Sequence, residues 1–329
     1  MNLTRRLALA ALLAAPFAGA PFATPALAQT QITIQHPLPL NSHYGAGATA
    51  FKESLERATN GRYRVTIQRN DNEREAIESV QIGTLDCNIT STGPVGNFVP
   101  DVRNVDVPFL FRDYAHARGV LDSQIGQELL AKFNARGLVG VVWLENGFRH
   151  LTNSRREVNT PADVRGLKVR TMENQVHMRA FTTLGALPTP MAFSELVPAL
   201  QQGTVDGQEN PIPVIVANNL NQVQRYLTLT GHVYSPALLI CNPGVISRLS
   251  AADRTAFMEA AKAAQKANRD RVSADEASGV DELRRRGMTV VTNVDNAAFQ
   301  QALRPGASQI ESGLDSALLG RIRNWQPGQ

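Results

Sequence analysis

Two arginines and one asparagine lie where a folded chain could bind an anion. Arg149 follows an apolar run, Arg170 ends the apolar segment LKVR, and Asn210 follows the strand-like segment TVDGQE. Ligands of open α/β sheets bind beyond the carboxyl ends of the strands, where a guanidinium group can hold a carboxylate through two parallel hydrogen bonds. Either arginine alone is more typical of a structural ion pair, but the three residues together favour a carboxylate-binding site.

The sequence offers little for catalysis. The segment GAGATA, with Gly45 and Gly47, has the glycine spacing of a dinucleotide-binding turn, but it lies too far beyond the strand that ends near Gln35. No G-x-S-x-G, H-E-x-x-H or Walker motif occurs, and His36 and His43 are too loosely spaced for a metal site. We therefore predict a protein that is not an enzyme and that has no cofactor or metal. The alternative is a secreted α/β hydrolase or lyase acting on a small carboxylate. Such an enzyme would need a nucleophile or a pair of acid and base side chains, and the motifs supply neither.

The sequence contains two copies of the segment that must position these residues. VQIGTLDCNIT (80–90) and LQQGTVDGQENP (200–211) share a glycine, a threonine and an aspartate at the same spacing. Each copy predicts a helix that ends at a left-handed glycine, Gly83 or Gly203, followed by a strand with a polar end. The second strand carries Gln208 and Asn210 as candidate ligand contacts. The first third of the chain reads β-α-β-α-β, which indicates an α/β layer, and the pattern restarts after residue 147, so we predict two lobes.

A long helix is predicted between Ser250 and Gly287. Ser250 is a good N-cap with Asp253 three residues later, and helical sequence continues to Arg286. Such a helix would be roughly 55 Å long, whereas a lobe of this size is roughly 40 Å across. The helix should therefore span both lobes.

The first 28 residues predict an export signal. Arg5 and Arg6 precede an apolar run that ends in Ala26-Leu27-Ala28, a small-x-small cleavage pattern. Prolines interrupt the run, which makes it a poor membrane span. Without Arg5 and Arg6 the formal charge of +4 falls to 4 − 2 = +2, which gives no reason to expect nucleic acid as a partner.

Two cysteines would then lie in an oxidising compartment, where a disulfide can form. Cys87 and Cys241 each sit in an apolar, strand-like run, where a free cysteine often behaves as a small buried hydrophobe. We expect free buried thiols and keep a disulfide as the alternative.

Three segments carry a family resemblance: FRHLTNSRREVNTPADVRG, GLKVRTM and GALPTPMAFSELVPALQQGTVDGQENP. They resemble the solute-binding subunits of tripartite ATP-independent periplasmic (TRAP) transporters, the DctP family. The resemblance implies a periplasmic protein with a two-lobed periplasmic binding protein fold, crossing hinge strands and a long helix. It also implies a monomer that captures an organic acid and delivers it to the membrane subunits of the transporter.

The resemblance also implies roles for individual residues. Arg170 would be the main carboxylate partner, Arg149 and Asn210 would assist it, and Phe193 would line the pocket. We assign residues 29–146 plus 236–275 to the first lobe and residues 147–235 plus 276–329 to the second.

The first-lobe contacts are less well defined, because the Leu-Gly pair common before this helix in the family is replaced by RNDNERE. The identity of the ligand is therefore not transferred from the family. The candidate ligands are a dicarboxylate, a sugar acid, a keto or hydroxy acid and an aromatic acid. The candidate contacts from the first lobe are His36, Asn41, Ser42, Tyr44, Asn72, Glu73 and Thr92.

Overall fold

A mixed sheet of nine strands organises the chain, which a computed structural model describes over residues 29–327. The predicted export signal, residues 1–28, lies outside the described residues. The strand order is β2-β1-β3-β8-β4-β7-β5-β6, and β9 pairs with β8. The strands are β1 (Thr30–His36), β2 (Tyr63–Arg69), β3 (Cys87–Ser91), β4 (Val139–Asn153), β5 (Lys168–Thr171), β6 (Leu187–Pro190), β7 (Gly207–Pro211), β8 (Tyr226–Cys241) and β9 (Thr289–Val291).

Helices cover this sheet, and short 3-10 segments connect several of them. None of the helices in residues 29–327 combines the length and apolar character that crossing a bilayer requires. The helices are α1 (His43–Ala58), α2 (Glu73–Ile82), α3 (Thr92–Val95), α4 (Tyr114–Asp122), α5 (Gln124–Ala131), α6 (Gln175–Thr183), α7 (Phe193–Gln201), α8 (Ile212–Ala217), α9 (Pro243–Ser247), α10 (Ala251–Arg285), α11 (Asn296–Leu303), α12 (Ala307–Ile310) and α13 (Ser316–Asn324).

The repeated sequence builds the same local structure twice. Gly83 ends α2 with φ 85° and Gly203 follows α7 with φ 70°, a conformation that glycine adopts without strain. The aspartate after each glycine then fixes the neighbouring parallel strand. Asp86 accepts a hydrogen bond from the Thr33 amide at 2.9 Å, and Asp206 accepts one from the Lys168 amide at 2.9 Å. We call the region around β1–β3 the first lobe and the region around β5–β7 the second lobe.

Strands β4 and β8 cross between the lobes as an antiparallel pair. Strand β4 merges two segments that the sequence pattern separates at Asn146. Its pairing with β8 shifts register between Glu145 and Gly147 and again between Arg149 and Leu151. Such irregularities bend a strand and loosen its pairing locally. The crossing strands are therefore continuous. A further register shift lies between Gly140 and Val142, and we call residues 145–151 the irregular stretch of β4, at the entrance to the second lobe.

Helix α10 confirms the prediction of one long helix. Phe257 packs in the core of the first lobe and Leu283 in that of the second, and the helix contacts both α1 and α8. In its middle, the buried Asn268 accepts a hydrogen bond from the Glu145 amide at 2.7 Å and donates to the His43 carbonyl at 3.1 Å. Because a buried amide is costly unless satisfied, Asn268 fixes the helix position against β4 and α1.

The C-terminal helices contact both lobes. Arg179 of α6 donates to the carbonyls of Gln309 and Ser312. Arg321 of α13 forms an ion pair with Glu128 of α5 at 2.7 Å. The lobe boundaries, which place residues 276–329 wholly in the second lobe, stay a prediction.

The cysteines differ from the expectation. Cys87 and Cys241 form a disulfide, so the expectation of free thiols is wrong. The two residues face each other in the register of β3 and β8 and are fully buried. Sequence could not supply this proximity, because β3 and β8 pair across a separation of 154 residues.

Candidate ligand-binding site

A cavity lies between the two lobes, close to the irregular stretch of β4. It is narrow, since the centre of a water molecule can move through only about 20 Å³ of it. The residues that line it are Pro37, Leu38, Tyr44, Glu73 and Ser91 from the first lobe, Asn146 from β4, and Arg170, Met172, Phe193, Asn210 and Val214.

Arg170 is the cation of this cavity. It is the third residue of β5, with 1% of its surface exposed, and its Nε and Nη2 donate to the Met191 carbonyl at 3.1 and 2.7 Å. The Phe193 ring lies 5.9 Å from the guanidinium carbon. Burial, and secondly Arg149, lowers the pKa of Arg170 to about 10, so the group stays protonated at neutral pH.

Arg170 has no carboxylate partner of its own. Across residues 29–327 it makes no salt bridge, and its Nη1 makes no hydrogen bond. A buried cation without a counter-charge is costly, and a ligand carboxylate would remove that cost. The cavity is therefore suited to an anion.

Arg149 does not line this cavity, and its role as an auxiliary ligand contact stays a prediction. It is completely buried, and its Nε and Nη2 bind the carboxylate of Glu209, whereas its Nη1 has no hydrogen-bond partner among the described residues. Burial alone would raise the pKa of Glu209, but Arg149 and His232 hold it well below its usual range. The arginine therefore neutralises a buried acid beneath the cavity.

Asn210 receives its orientation from this buried layer. Its Oδ1 accepts from Arg149 Nη2 at 3.3 Å, and its Nδ2 donates to Gln208 Oε1 at 2.5 Å. Gln208 donates in turn to Thr152 at 2.9 Å and lies outside the lining. Arg149 and Gln208 thus hold Asn210 in place, and Asn210 alone of the three reaches the cavity.

Two first-lobe candidates line the cavity, Tyr44 and Glu73. Glu73 Oε1 accepts from the Thr90 hydroxyl at 2.7 Å and from the Ser91 amide at 3.4 Å. Burial raises the pKa of Glu73, and Arg170 opposes this rise. Burial also raises the pKa of Tyr44 well above its usual value, so its phenol is a neutral hydrogen-bond donor.

The other first-lobe candidates lie outside the lining, and most have local partners. Ser42 caps α1 by accepting from the Gly45 amide at 3.2 Å, and Asn72 caps α2 by accepting from the Glu75 amide at 3.2 Å. Thr92 donates to buried Asp106 at 2.6 Å. Asn41 is exposed to solvent. His36 is buried, which lowers its pKa to about 4 and leaves the ring neutral.

Sequence reasoning missed several lining residues, among them Asn146, Ser91 and Met172. Asn146 Oδ1 accepts a hydrogen bond from His43 Nε2 at 3.1 Å, which requires the proton on this ring nitrogen. Met172 is two residues beyond Arg170, and Ser91 ends β3 as Pro211 ends β7. The strand ends are the signal that could have identified Ser91 and Met172, whereas Asn146 lies inside β4 and has no such signal.

The described residues contain no cluster of histidine, cysteine and carboxylate side chains suited to a metal ion. The polar groups of the cavity are instead a guanidinium, a carboxylate, a phenol and amides. Such a set can bind an organic anion that also carries hydroxyl groups.

The family model for bacterial extracellular solute-binding proteins, family 7 (DctP), matches residues 34–312. A solute-binding protein from Verminephrobacter eiseniae is 51% identical over 92% of this chain and 91% of its own length. A TRAP periplasmic solute-binding protein from Polaromonas, bound to D-erythronate, has a TM-score of 0.88 and 52% identity, covering 91% of this chain and 99% of that one. A third, from Bordetella with density assigned to pantoate, has a TM-score of 0.88 and 49% identity, covering 91% and 100%.

These relatives share one kind of activity. All three are solute-binding proteins, and the two of known structure are TRAP periplasmic proteins that hold organic acids. The fold, with its crossing strands and long helix, agrees with theirs. The chain belongs to the DctP family, family 7 of the bacterial extracellular solute-binding proteins, and is a solute-binding protein of the TRAP type.

Proposed function

We propose that the protein captures a short hydroxylated monocarboxylate in the periplasm and delivers it to the membrane subunits of a TRAP transporter. Arg170 binds the carboxylate, Asn210 and Tyr44 assist it, and Phe193 covers the guanidinium group. The protein acts as a monomer and does not transform its ligand. The observation that carries this proposal is the buried guanidinium of Arg170, which lacks a carboxylate partner in residues 29–327.

The size of the cavity supports a short ligand. The space of about 20 Å³ open to the centre of a water molecule corresponds to roughly one or two waters. We expect a four-carbon acid to fit this space with less rearrangement of side chains than a six-carbon sugar acid. The two structures near 50% identity hold D-erythronate and pantoate, which are hydroxylated monocarboxylates with four-carbon backbones.

The cavity gives no support to the hydrolase or lyase alternative. Ser91 is a potential nucleophile in the lining, but its hydroxyl faces Glu73 at 3.5 Å and the sulfur of Met172 at 3.5 Å. A serine nucleophile needs a base that removes its proton and a group that orients this base. The described residues around Ser91 place no histidine at hydrogen-bond distance from it.

The test begins with a thermal-shift screen of organic acids, since a ligand that binds the folded state raises the melting temperature. Calorimetric titration of the best acid then compares the wild type with Arg170→Ala and Arg170→Lys. Arg170→Ala should weaken binding on the order of 2–5 kcal/mol. Arg170→Lys should weaken it less, because lysine keeps the charge and loses the planar fork.

Arg165→Ala is the matched control, because Arg165 is an exposed arginine just before the same strand. It should bind like the wild type. Wild-type affinity in folded Arg170→Ala would overturn the proposal, and turnover of the bound acid would favour the enzyme alternative.

A further inference from the structure

Glu73 places a second charge in the cavity. It is the first residue of α2 and lines the cavity together with Arg170. The two side chains form no ion pair within 4.0 Å, and neither does Glu73 with any other cation in residues 29–327. The cavity therefore has a guanidinium on one lobe and a carboxylate on the other, with no direct contact between them.

The two carboxylate oxygens of Glu73 have different surroundings. Oε1 is held by the Thr90 hydroxyl and the Ser91 amide, whereas Oε2 accepts no hydrogen bond from the described part of the chain. The neighbouring Arg74 pairs with Glu78 and Glu173 and does not neutralise Glu73. Two hydrogen bonds thus fix the direction of Oε1, while Oε2 is free to accept a hydrogen bond from a ligand.

Such an acceptor discriminates between ligands by charge. A hydroxyl group can donate to Oε2, and a hydrogen bond to a charged acceptor is among the stronger ones. A second ligand carboxylate would lack a proton to donate and would face a like charge at Glu73. Juxtaposed like charges are a recognised means of rejecting wrong partners.

We propose that Glu73 determines the specificity of the site, by accepting a hydrogen bond from a ligand hydroxyl and rejecting dicarboxylates. The inference rests on the proposed function, since it requires a ligand carboxylate at Arg170. It adds the chemistry of the opposite end of the ligand. A hydroxylated monocarboxylate satisfies both ends of the cavity, and the matching dicarboxylate satisfies one.

A purely structural role is the competing explanation. Acidic residues in the first turn of a helix interact favourably with its dipole, and both Glu73 and Glu75 lie in the first turn of α2. Glu75 is exposed and does not line the cavity. Glu75→Gln therefore removes the same charge from the same turn without altering the site.

The experiment uses two acids that differ at one carbon. D-Erythronate carries a terminal CH2OH where meso-tartrate carries a carboxylate, and their two central hydroxyls have the same configuration. Calorimetric titration at neutral pH measures both acids with the full mature chain as the wild type, Glu73→Gln and Glu75→Gln. The wild type should prefer D-erythronate by roughly 100-fold, as expected for juxtaposed like charges. Glu73→Gln should reduce this preference at least tenfold by gaining affinity for meso-tartrate, and Glu75→Gln should keep it.

The outcomes separate this inference from the proposed function. If folded Glu73→Gln keeps the wild-type preference, or if the wild type prefers meso-tartrate, Glu73 does not select the ligand. Loss of D-erythronate binding in Arg170→Ala would still support the proposed function in that case. If neither D-erythronate nor any other acid of the screen binds the wild type, both proposals are overturned.

Discussion

Arg149 lies in the layer beneath the cavity, bound to Glu209 on the neighbouring strand. Removal of the guanidinium would leave Glu209 as a buried charge with His232 as its remaining close partner. Breaking a buried ion pair in this way costs about 3–5 kcal/mol. At the residue scale we expect Arg149 to stabilise the fold and to orient Asn210, and its role as a ligand contact stays a prediction. Arg170 has no carboxylate partner in residues 29–327.

We therefore expect Arg149→Ala to lower the free energy of unfolding by about 3–5 kcal/mol, measured by urea denaturation. The double variant Arg149→Met/Glu209→Gln removes both charges and should be more stable than Arg149→Ala. Wild-type stability in Arg149→Ala, combined with a loss of ligand binding, would instead make Arg149 a direct ligand contact.

Glu276 of α10 provides a pH-dependent prediction. Burial raises its pKa to about 7, and Glu145 and Asp275 add to the rise against a hydrogen bond from Tyr114. The folded state then binds this proton more tightly than the unfolded chain, so Glu276 costs stability as the pH rises from about 4.5 to 7. Glu276→Gln should match the wild type near pH 4 and be more stable above pH 7, by up to about 3 kcal/mol.

Urea denaturation across this pH range checks the expectation. Glu259→Gln serves as the control, because Glu259 is an exposed carboxylate on the same helix and should show no such trend. A stability difference between Glu276→Gln and the wild type that does not grow with pH would contradict the assigned pKa.

At the scale of elements, the contact between α10 and α8 depends on a glycine. A Cβ atom at Gly279 would lie 2.4 Å from Cγ2 of Ile212, a fully buried residue. Its branched side chain has few alternative rotamers in a helix. The glycine therefore permits the close approach of α10 to the second lobe.

Gly279→Ala should consequently destabilise the protein by about 1–3 kcal/mol through overpacking, although alanine is the better helix former. Gly320→Ala in α13 is the comparison, because no atom outside the helix lies within 4 Å of its Cβ position. It should stabilise the protein by about 1 kcal/mol. Thermal denaturation measures both, and stabilisation by Gly279→Ala would show that the interface tolerates a methyl group.

Local signals explain which elements could be predicted. The caps Ser250 and Gly83 and the apolar runs of β3 and β5 depend on neighbouring residues, so α10, α2 and the repeated units were predictable. The sequence pattern divides β4 at Asn146, because the continuity of this strand depends on its pairing with β8.

The same limit applies to the residues of the candidate site. Arg170 and Asn210 line the cavity as strand ends should, but the partner of Arg149 is 60 residues away, and only the register of β4 and β7 brings them together.

At the scale of the whole molecule, the buried guanidinium of Arg170 predicts motion. Arg170 is 1% exposed, so an acid cannot reach it unless the lobes separate. The irregular stretch of β4 next to the cavity is where such a hinge would bend, since hinges use a few residues at element ends or irregularities.

We expect small-angle scattering to show a radius of gyration that falls when the wild type is saturated with its acid. Arg170→Ala at the same acid concentration should keep the radius of the ligand-free protein. An unchanged radius in the saturated wild type would contradict closure by hinge motion.

The disulfide between Cys87 and Cys241 has a consequence for chain integrity. It closes a covalent ring that contains β4, β5 and β7, and with them Arg170 and Asn210. A protease that cuts one peptide bond inside this ring cannot release a fragment. The nicked chain would migrate as one species on a denaturing gel without reductant, and would separate into two pieces when reductant is added.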